Sequence, residues 1–272
     1  MRILISVDME GISGVSRWEH VQSAQPEYAI YRRIMTEDVN AAVRGAFAGG
    51  ADEVIVHDGH GKGQNILIEE LDPRAELSRG TCSPLCMTTG IQTGVDAVFT
   101  VGYHAKAGSA PAILAHSMGS HILSYKVNGQ EVGEFGLSGM LAGRFGAPII
   151  FASGDQALAE EAKELYPGIN VTIVKLATGY YSGICFPVEK THAQIEADAK
   201  AAVEKFAAGK GPKPLEINVP ATLEVNYAAP YSAEKASELP FVKRESGRIV
   251  SVECRTVMEV YRYAVLMASF KG

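Results

Sequence analysis

Cysteine is sparse in this 272-residue chain: Cys82, Cys86, Cys185 and Cys254 are too few and too scattered to frame a disulfide scaffold. Cys82 and Cys86 stand four apart, but no second Cys/His pair of zinc-finger spacing completes them, so the four read as reduced, structural thiols. Dense Lys/Arg clusters are also missing, and the formal net charge is −6. That excludes nucleic acid as a partner, because neutralising phosphates needs a basic footprint. A small-molecule or peptide substrate is the natural alternative. No apolar stretch approaches the roughly 20 residues that span a bilayer. The apolar run at the N-terminus is broken by Asp8 before it reaches signal-peptide length. A soluble, cytoplasmic protein without membrane contact is expected.

What is present suits an α/β protein. Hydrophobic residues make up 47% of the chain and glycines number 28, enough for a large core joined by many tight turns. The β-branched run Ile3–Val7 reads as a buried strand, and Tyr28–Phe47 shows apolar residues at helical spacing, stopped by Gly49-Gly50. Short strands follow at Glu53–Val56 and Asp96–Val101. A hairpin is expected from His121 to Val132 around Asn128-Gly129. Helices at Glu134–Phe145 and Gln156–Tyr166 alternate with strands at Pro148–Ala152 and Val171–Leu176, and a long Ala-rich helix runs from Val188 to Ala208. Such alternation predicts a largely parallel central sheet flanked by helices. Gly209-Lys-Gly-Pro-Lys-Pro214 is the only linker-like stretch. It divides a catalytic core, 1–208, from a smaller C-terminal αβ segment, 215–272, packed on that core.

The chemistry lies in what ends each strand. The first runs into Asp8-Met9-Glu10-Gly11, which places both carboxylates on one side if the strand geometry continues. The second runs into His57-Asp58-Gly59-His60, the third into Gly102-Tyr103-His104, and the hairpin delivers Glu134 to the mouth of a helix. Ligands of open α/β sheets bind at the carboxyl ends of the strands. A mixed set of carboxylates and imidazoles there suits Zn²⁺. Three carboxylates exceed what one catalytic zinc takes, so a two-metal site with one bridging carboxylate is the economical arrangement. Asp8, short and held at the strand end, is the better bridge.

Each residue also has a bland role. Glu134 suits a helix N-terminus electrostatically, and a lone histidine after a strand is more often structural, as His20, His121 and His192 are taken to be. Gly59–Gly63 lacks the GK[ST] ending of a phosphate loop. Convergence of several strand ends favours the metal. His116, just after the polar loop that follows His104, suits a general base or nucleophile. Ser117 competes for that role but lacks a Gly-x-Ser-x-Gly elbow.

Ser6-Val-Asp-Met-Glu-Gly11 resembles the S-x-D-x-E-G signature of the M55 peptidases, the D-aminopeptidase family. The similarity continues in order through Met35-Thr36-Glu37, Asp58–Asn65, Gly102–Ala105, His116–Met118 and Val132–Leu137, and weakens after Gly209. The resemblance implies that Asp8, Glu10, His60, His104 and Glu134 bind two zinc ions, choosing His60 over His57, and that His116 is the catalytic histidine. It also implies peptides containing D-amino acids as substrates. The same resemblance implies a self-compartmentalising homodecamer of two pentameric rings. The expected activity is a zinc-dependent aminopeptidase acting on short peptides. One rival is a metal-dependent phosphatase or nucleotidase, a group that places two adjacent aspartates after its first strand, whereas Met9 separates Asp8 from Glu10 here. The other is a non-enzymatic peptide-binding protein, which needs no ionisable base beside the metals.

Overall fold

With apolar residues at both odd and even positions, Ile3-Leu4-Ile5-Ser6-Val7 is built for a strand covered on both faces, and all five side chains are buried in a computed structural model of the chain. The structure describes residues 1–81 and 83–271; Cys82, and with it the reading of that thiol, lies outside them. In chain order the elements are β1 (Arg2–Val7), α1 (Tyr28–Ala48), β2 (Glu53–Asp58), β3 (Ala75–Ser78), β4 (Ala97–Val101), β5 (Ile122–Val127) and β6 (Gln130–Val132). Next come α2 (Glu134–Arg144), β7 (Ile149–Asp155), α3 (Gln156–Leu165), β8 (Asn170–Gly179), β9 (Ser182–Cys185) and α4 (Val188–Ala207). The last are β10 (Ala221–Tyr227), α5 (Pro230–Ala236), β11 (Lys243–Arg244), β12 (Ile249–Cys254) and α6 (Val257–Met267).

The main sheet runs β3-β2-β1-β4-β7-β8-β9, parallel throughout except for the antiparallel edge strand β9. The expected parallel α/β architecture is therefore the one observed. Ile3, Ile5 and Val7 pack into a cluster with α1 and α4, while Leu4 belongs to the cluster on the opposite face, with α2, α6 and a second sheet. That antiparallel sheet, β11-β12-β10-β5-β6, joins the expected hairpin to the strands after residue 220. Its hairpin turn has both Asn128 and Gly129 at positive φ (52° and 84°), the conformation that an Asn-Gly pair supplies. β3, β9 and α5 are elements the sequence pattern did not announce.

One topological feature positions the site. From β1 the chain builds outward through β2 and β3, then returns to lay β4, β7 and β8 on β1's other side. Connections therefore leave the carboxyl ends of β1 and β4 in opposite directions, which opens a crevice at that switch point. Among the described residues no helix is long and apolar enough to cross a membrane. Cys86, Cys185 and Cys254 are free thiols.

Candidate metal centre

Strand β1 stops at Val7, and the residues after it form a tight turn. Pleat alternation is thus not what brings Asp8 and Glu10 together. Instead the Asp8 N–H donates to the Val101 carbonyl (2.9 Å) and the Gly11 N–H to that of Gly102 (2.7 Å), folding the turn across the end of β4. The approach is so close that a Cβ on Gly11 would lie 1.9 Å from the Tyr103 carbonyl oxygen, so only glycine fits.

At the end of β2 the three sequence candidates part ways. His57 turns toward β3, its Nδ1 3.1 Å from Ser78 Oγ, and burial pushes its pKa down. Asp58 braces the following loop: its carboxylate accepts the backbone N–H groups of Asn65 and Ile66 and the Asn65 side-chain amide. That amide also donates to the His60 carbonyl (2.7 Å). Only His60 points at the β1 turn.

Five side chains converge in two pairs around one carboxylate. Asp8 Oδ1 and Glu10 Oε2 each lie 3.1 Å from His60 Nδ1. Asp8 Oδ2 lies 3.4 Å from His104 Nε2, which is 3.3 Å from Glu134 Oε1. All but His60 are fully buried, and His60 nearly so. The outer nitrogen of each imidazole faces a main-chain carbonyl: His60 Nε2 to Val21 (2.9 Å), His104 Nδ1 to Ala105 (3.0 Å). A carbonyl can only accept, so each outer nitrogen carries the proton and the inner one turns its lone pair toward carboxylate oxygens.

Lone pairs facing carboxylates at such distances need a cation between them. Protons fill that place in part: desolvation opposes charging His60 and His104, but the surrounding carboxylates overcome it and raise both pKa values well above the ordinary imidazole range. Likewise burial alone would raise the Asp8 carboxyl, yet the His104 and His60 rings beside it hold it well below the usual range. Even so, Asp8 Oδ2, Glu10 Oε2 and His104 Nε2 remain buried without a hydrogen-bond partner among the described residues. Ligand atoms of Asp8, Glu10 and His104 lie within 4.8 Å of one another, as do those of His104, His116 and Glu134. Zinc fits this donor set, and since metal displaces the histidine protons, its uptake releases them.

His116 stands over the second pair. Its ring stacks on His104 (centroids 3.9 Å apart, planes at 12°) and packs against Trp18 in a T-shaped arrangement (centroids 5.2 Å apart). Nδ1 donates to the Leu114 carbonyl (2.8 Å), and Nε2 lies 3.7 Å from Glu134 Oε1. A neutral imidazole held in this tautomer presents a base to the crevice. Ser117 is buried, and its hydroxyl accepts the Ala107 N–H.

The sequence profile of the peptidase M55 family, described as D-aminopeptidase, matches residues 1–266. The chain belongs to the M55 peptidase family. A D-aminopeptidase of Bacillus subtilis (strain 168) is 32% identical to this M55 peptidase over 269 residues, which covers 98% of this chain and 96% of the relative. The solved structure of the Zn-dependent D-aminopeptidase DppA from Bacillus subtilis, a self-compartmentalizing protease, superposes with a TM-score of 0.95 at 31% identity. That match covers 99% of this chain and 97% of the other.

Two buried charges that sequence reasoning missed brace the ligand loops of this M55 peptidase. Lys175, wholly buried in β8, directs its ammonium at the carbonyls of Glu10 (2.6 Å), Ile12 (3.0 Å) and Val15 (2.7 Å), using all three of its N–H groups on the β1 turn. Burial lowers its pKa to about 8, with Asp155 foremost among the acids that resist the shift. Glu161, on α3, accepts the Lys106 N–H (2.9 Å) just after His104, and its Oε1 would lie 3.0 Å from a Cβ on Gly133, just before Glu134. A lone lysine within the apolar run Val171–Leu176 was a visible signal; its partners, some 160 residues upstream, were not.

Lys175→Met is expected to strand three buried carbonyls. At about 1 kcal/mol or more for each lost donor, the total is about 3 kcal/mol. For a chain of this size that lowers Tm by roughly 6–12 °C. Zinc affinity should fall with it, because the Glu10 arm loosens. Scanning calorimetry with and without zinc measures both, and unchanged values would contradict the brace.

Proposed function

We propose that this M55 peptidase is a zinc-dependent aminopeptidase that removes the N-terminal residue of short peptides, with D-amino acids favoured at that position. Two zinc ions per subunit are held by Asp8, Glu10, His60, His104 and Glu134. The observation that carries this reading is the division of Asp8: one oxygen faces the His60–Glu10 pair and the other the His104–Glu134 pair. That is what a bridging carboxylate requires, and neither a structural zinc nor a plain ion-pair network needs it.

When bound, zinc supplies Lewis acidity, drawing charge from a carbonyl oxygen and acidifying water. The chain's own groups do the rest. His116 Nε2 accepts the proton of the attacking water and then gives that same proton to the leaving amine; if Nε2 instead attacks the carbonyl, the leaving amine takes its proton from water and a second water cleaves the acyl-imidazole, restoring the ring. Through either course the Leu114 carbonyl keeps its bond to Nδ1–H and holds the ring's orientation while it is cationic. His104 beneath the ring and Trp18 at its edge limit its rotation. At about 310 Å³ the crevice leaves little room for an acyl group on the peptide's N-terminus, which suits a free α-amine over a blocked one.

Hydrolysis of matched D-alanyl and L-alanyl dipeptides by zinc-loaded protein tests this reading. The D-isomer is expected to be cleaved faster, and an N-acetylated dipeptide should not be cleaved. Inactivity toward both isomers, with p-nitrophenyl phosphate hydrolysed instead, would replace the peptidase by a phosphatase.

We further propose that the subunits assemble as a closed decamer of two pentameric rings. Its support is membership in the family of a protein described as self-compartmentalizing. Light scattering should report a particle about ten times the 29.0 kDa chain, and a monomer or dimer would sink the assembly.

A further inference from the structure

Two cavities meet at His116. One, of about 310 Å³, is the metal crevice, with Asp8, Glu10 and Glu134 in its wall. The other, of about 560 Å³, lies on the far side and is walled by Trp18, Gln22, Ser120, His121 and Lys271. His116 and Lys271 are the two residues that line both. We propose that the second cavity is the subsite for the leaving residue of a short peptide, with the Lys271 ammonium receiving that residue's free α-carboxylate. The inference rests on the aminopeptidase reading and specifies its substrate: zwitterionic di- and tripeptides with an unblocked C-terminus.

Three observations support the assignment. First, the bond to be cut must lie within reach of His116, so the residue beyond it has to occupy space next to His116 and away from the metal ligands; the second cavity is that space. Second, the residues around the second cavity include no acid and one ammonium, that of Lys271, so a carboxylate placed there meets a cation and no like charge. A dipeptide carries its carboxylate a few ångströms beyond the bond to be cut, within the span of this cavity when that bond lies at His116.

Third, Lys271 is held near the cavity and is available there. The His121 ring donates to the Ala268 carbonyl (2.9 Å), tying the segment after α6 to the start of the hairpin sheet, and the Lys271 N–H bonds the Ser269 carbonyl (3.0 Å). Its ammonium forms no ion pair among the described residues. Its positive field reaches His121, where, after burial, it helps to depress the imidazole pKa. Lys271 is exposed and its side chain makes no hydrogen bond or ion pair among the described residues, so changing it should leave the fold intact.

The chain's single tryptophan makes the proposal measurable, because Trp18 lines the second cavity and its emission reports occupancy without turnover. The probes are D-alanyl-D-alanine, its C-terminal amide, and hydrolysis-resistant versions of both in which a CH₂–NH link replaces the peptide bond. With zinc-loaded protein, the free-acid isostere should shift Trp18 emission saturably and bind about five- to tenfold more tightly than its amide. Lys271→Met should abolish that difference. In turnover, the variant should raise KM for the free acid by a similar factor, leave kcat nearly unchanged, and handle the amide as the parent does. Equal affinity of the parent for acid and amide, an equal loss on both in Lys271→Met, or a silent Trp18 at saturation would overturn the subsite. If no peptide is hydrolysed, the aminopeptidase reading fails by itself, and the emission titration still decides whether Lys271 recognises the carboxylate.

Discussion

His116→Ala is expected to retain both zinc ions and the fold while losing most of kcat. Removing a general acid–base costs about 10²–10⁴-fold, and removing a nucleophile can cost more. Zinc content, Tm and kcat measured on this one variant separate three roles. A base or nucleophile loses turnover alone. If His116 is a ligand, as its place within 4.8 Å of the His104 and Glu134 ligand atoms permits, zinc content falls together with activity. If the ring is only a packing element between Trp18 and His104, Tm falls and kcat stays within about tenfold, equivalent to about 1.4 kcal/mol of barrier. The first outcome is the expected one, because Nδ1 is tied to Leu114 and Nε2 is left free toward the crevice. Near-normal turnover in a fully metallated variant would remove His116 from the mechanism.

Asp8→Ala should empty the centre rather than half of it. Each Asp8 oxygen faces a different histidine–carboxylate pair, so one truncation takes a ligand from both positions. Losing a group that only orients a ligand typically costs 10–100-fold in metal affinity, so losing a shared ligand should cost more than about 100-fold at both positions. Elemental analysis after zinc loading and desalting should find little metal and correspondingly little activity. His104→Ala, which touches mainly the Glu134 side, should keep the other ion. Two ions retained in Asp8→Ala would refute the bridge.

Much of this was legible along the chain because its signals are local. Periodicity marked β1, α1 and the strands and helices between residues 148 and 208, since an apolar stripe needs only a few residues to declare itself. Strand-end position nominated Asp8, Glu10, His104 and Glu134, and the family signature separated His60 from His57. The physical basis of that separation appeared only in three dimensions: Asp58 and Asn65 fold the loop so that His60 turns inward while His57 faces Ser78. The pairing of Asp8 with Glu10 also has a different cause from the one expected, a turn pulled over β4 in place of a continued strand.

The sequence by itself determined the α/β class and placed the carboxylates and imidazoles of the candidate site at strand ends. Each depends on neighbours within one strand, one helix or one short loop. Only the tertiary structure decided how Asp8 divides its oxygens, how Lys175 and Glu161 hold loops they are distant from in sequence, and how the hairpin and the C-terminal strands share a sheet. The same holds for the meeting of two cavities at His116 and Lys271. These features are contacts between remote segments, set when sheet faces bury their apolar side chains and bring whatever lies at the strand ends into register.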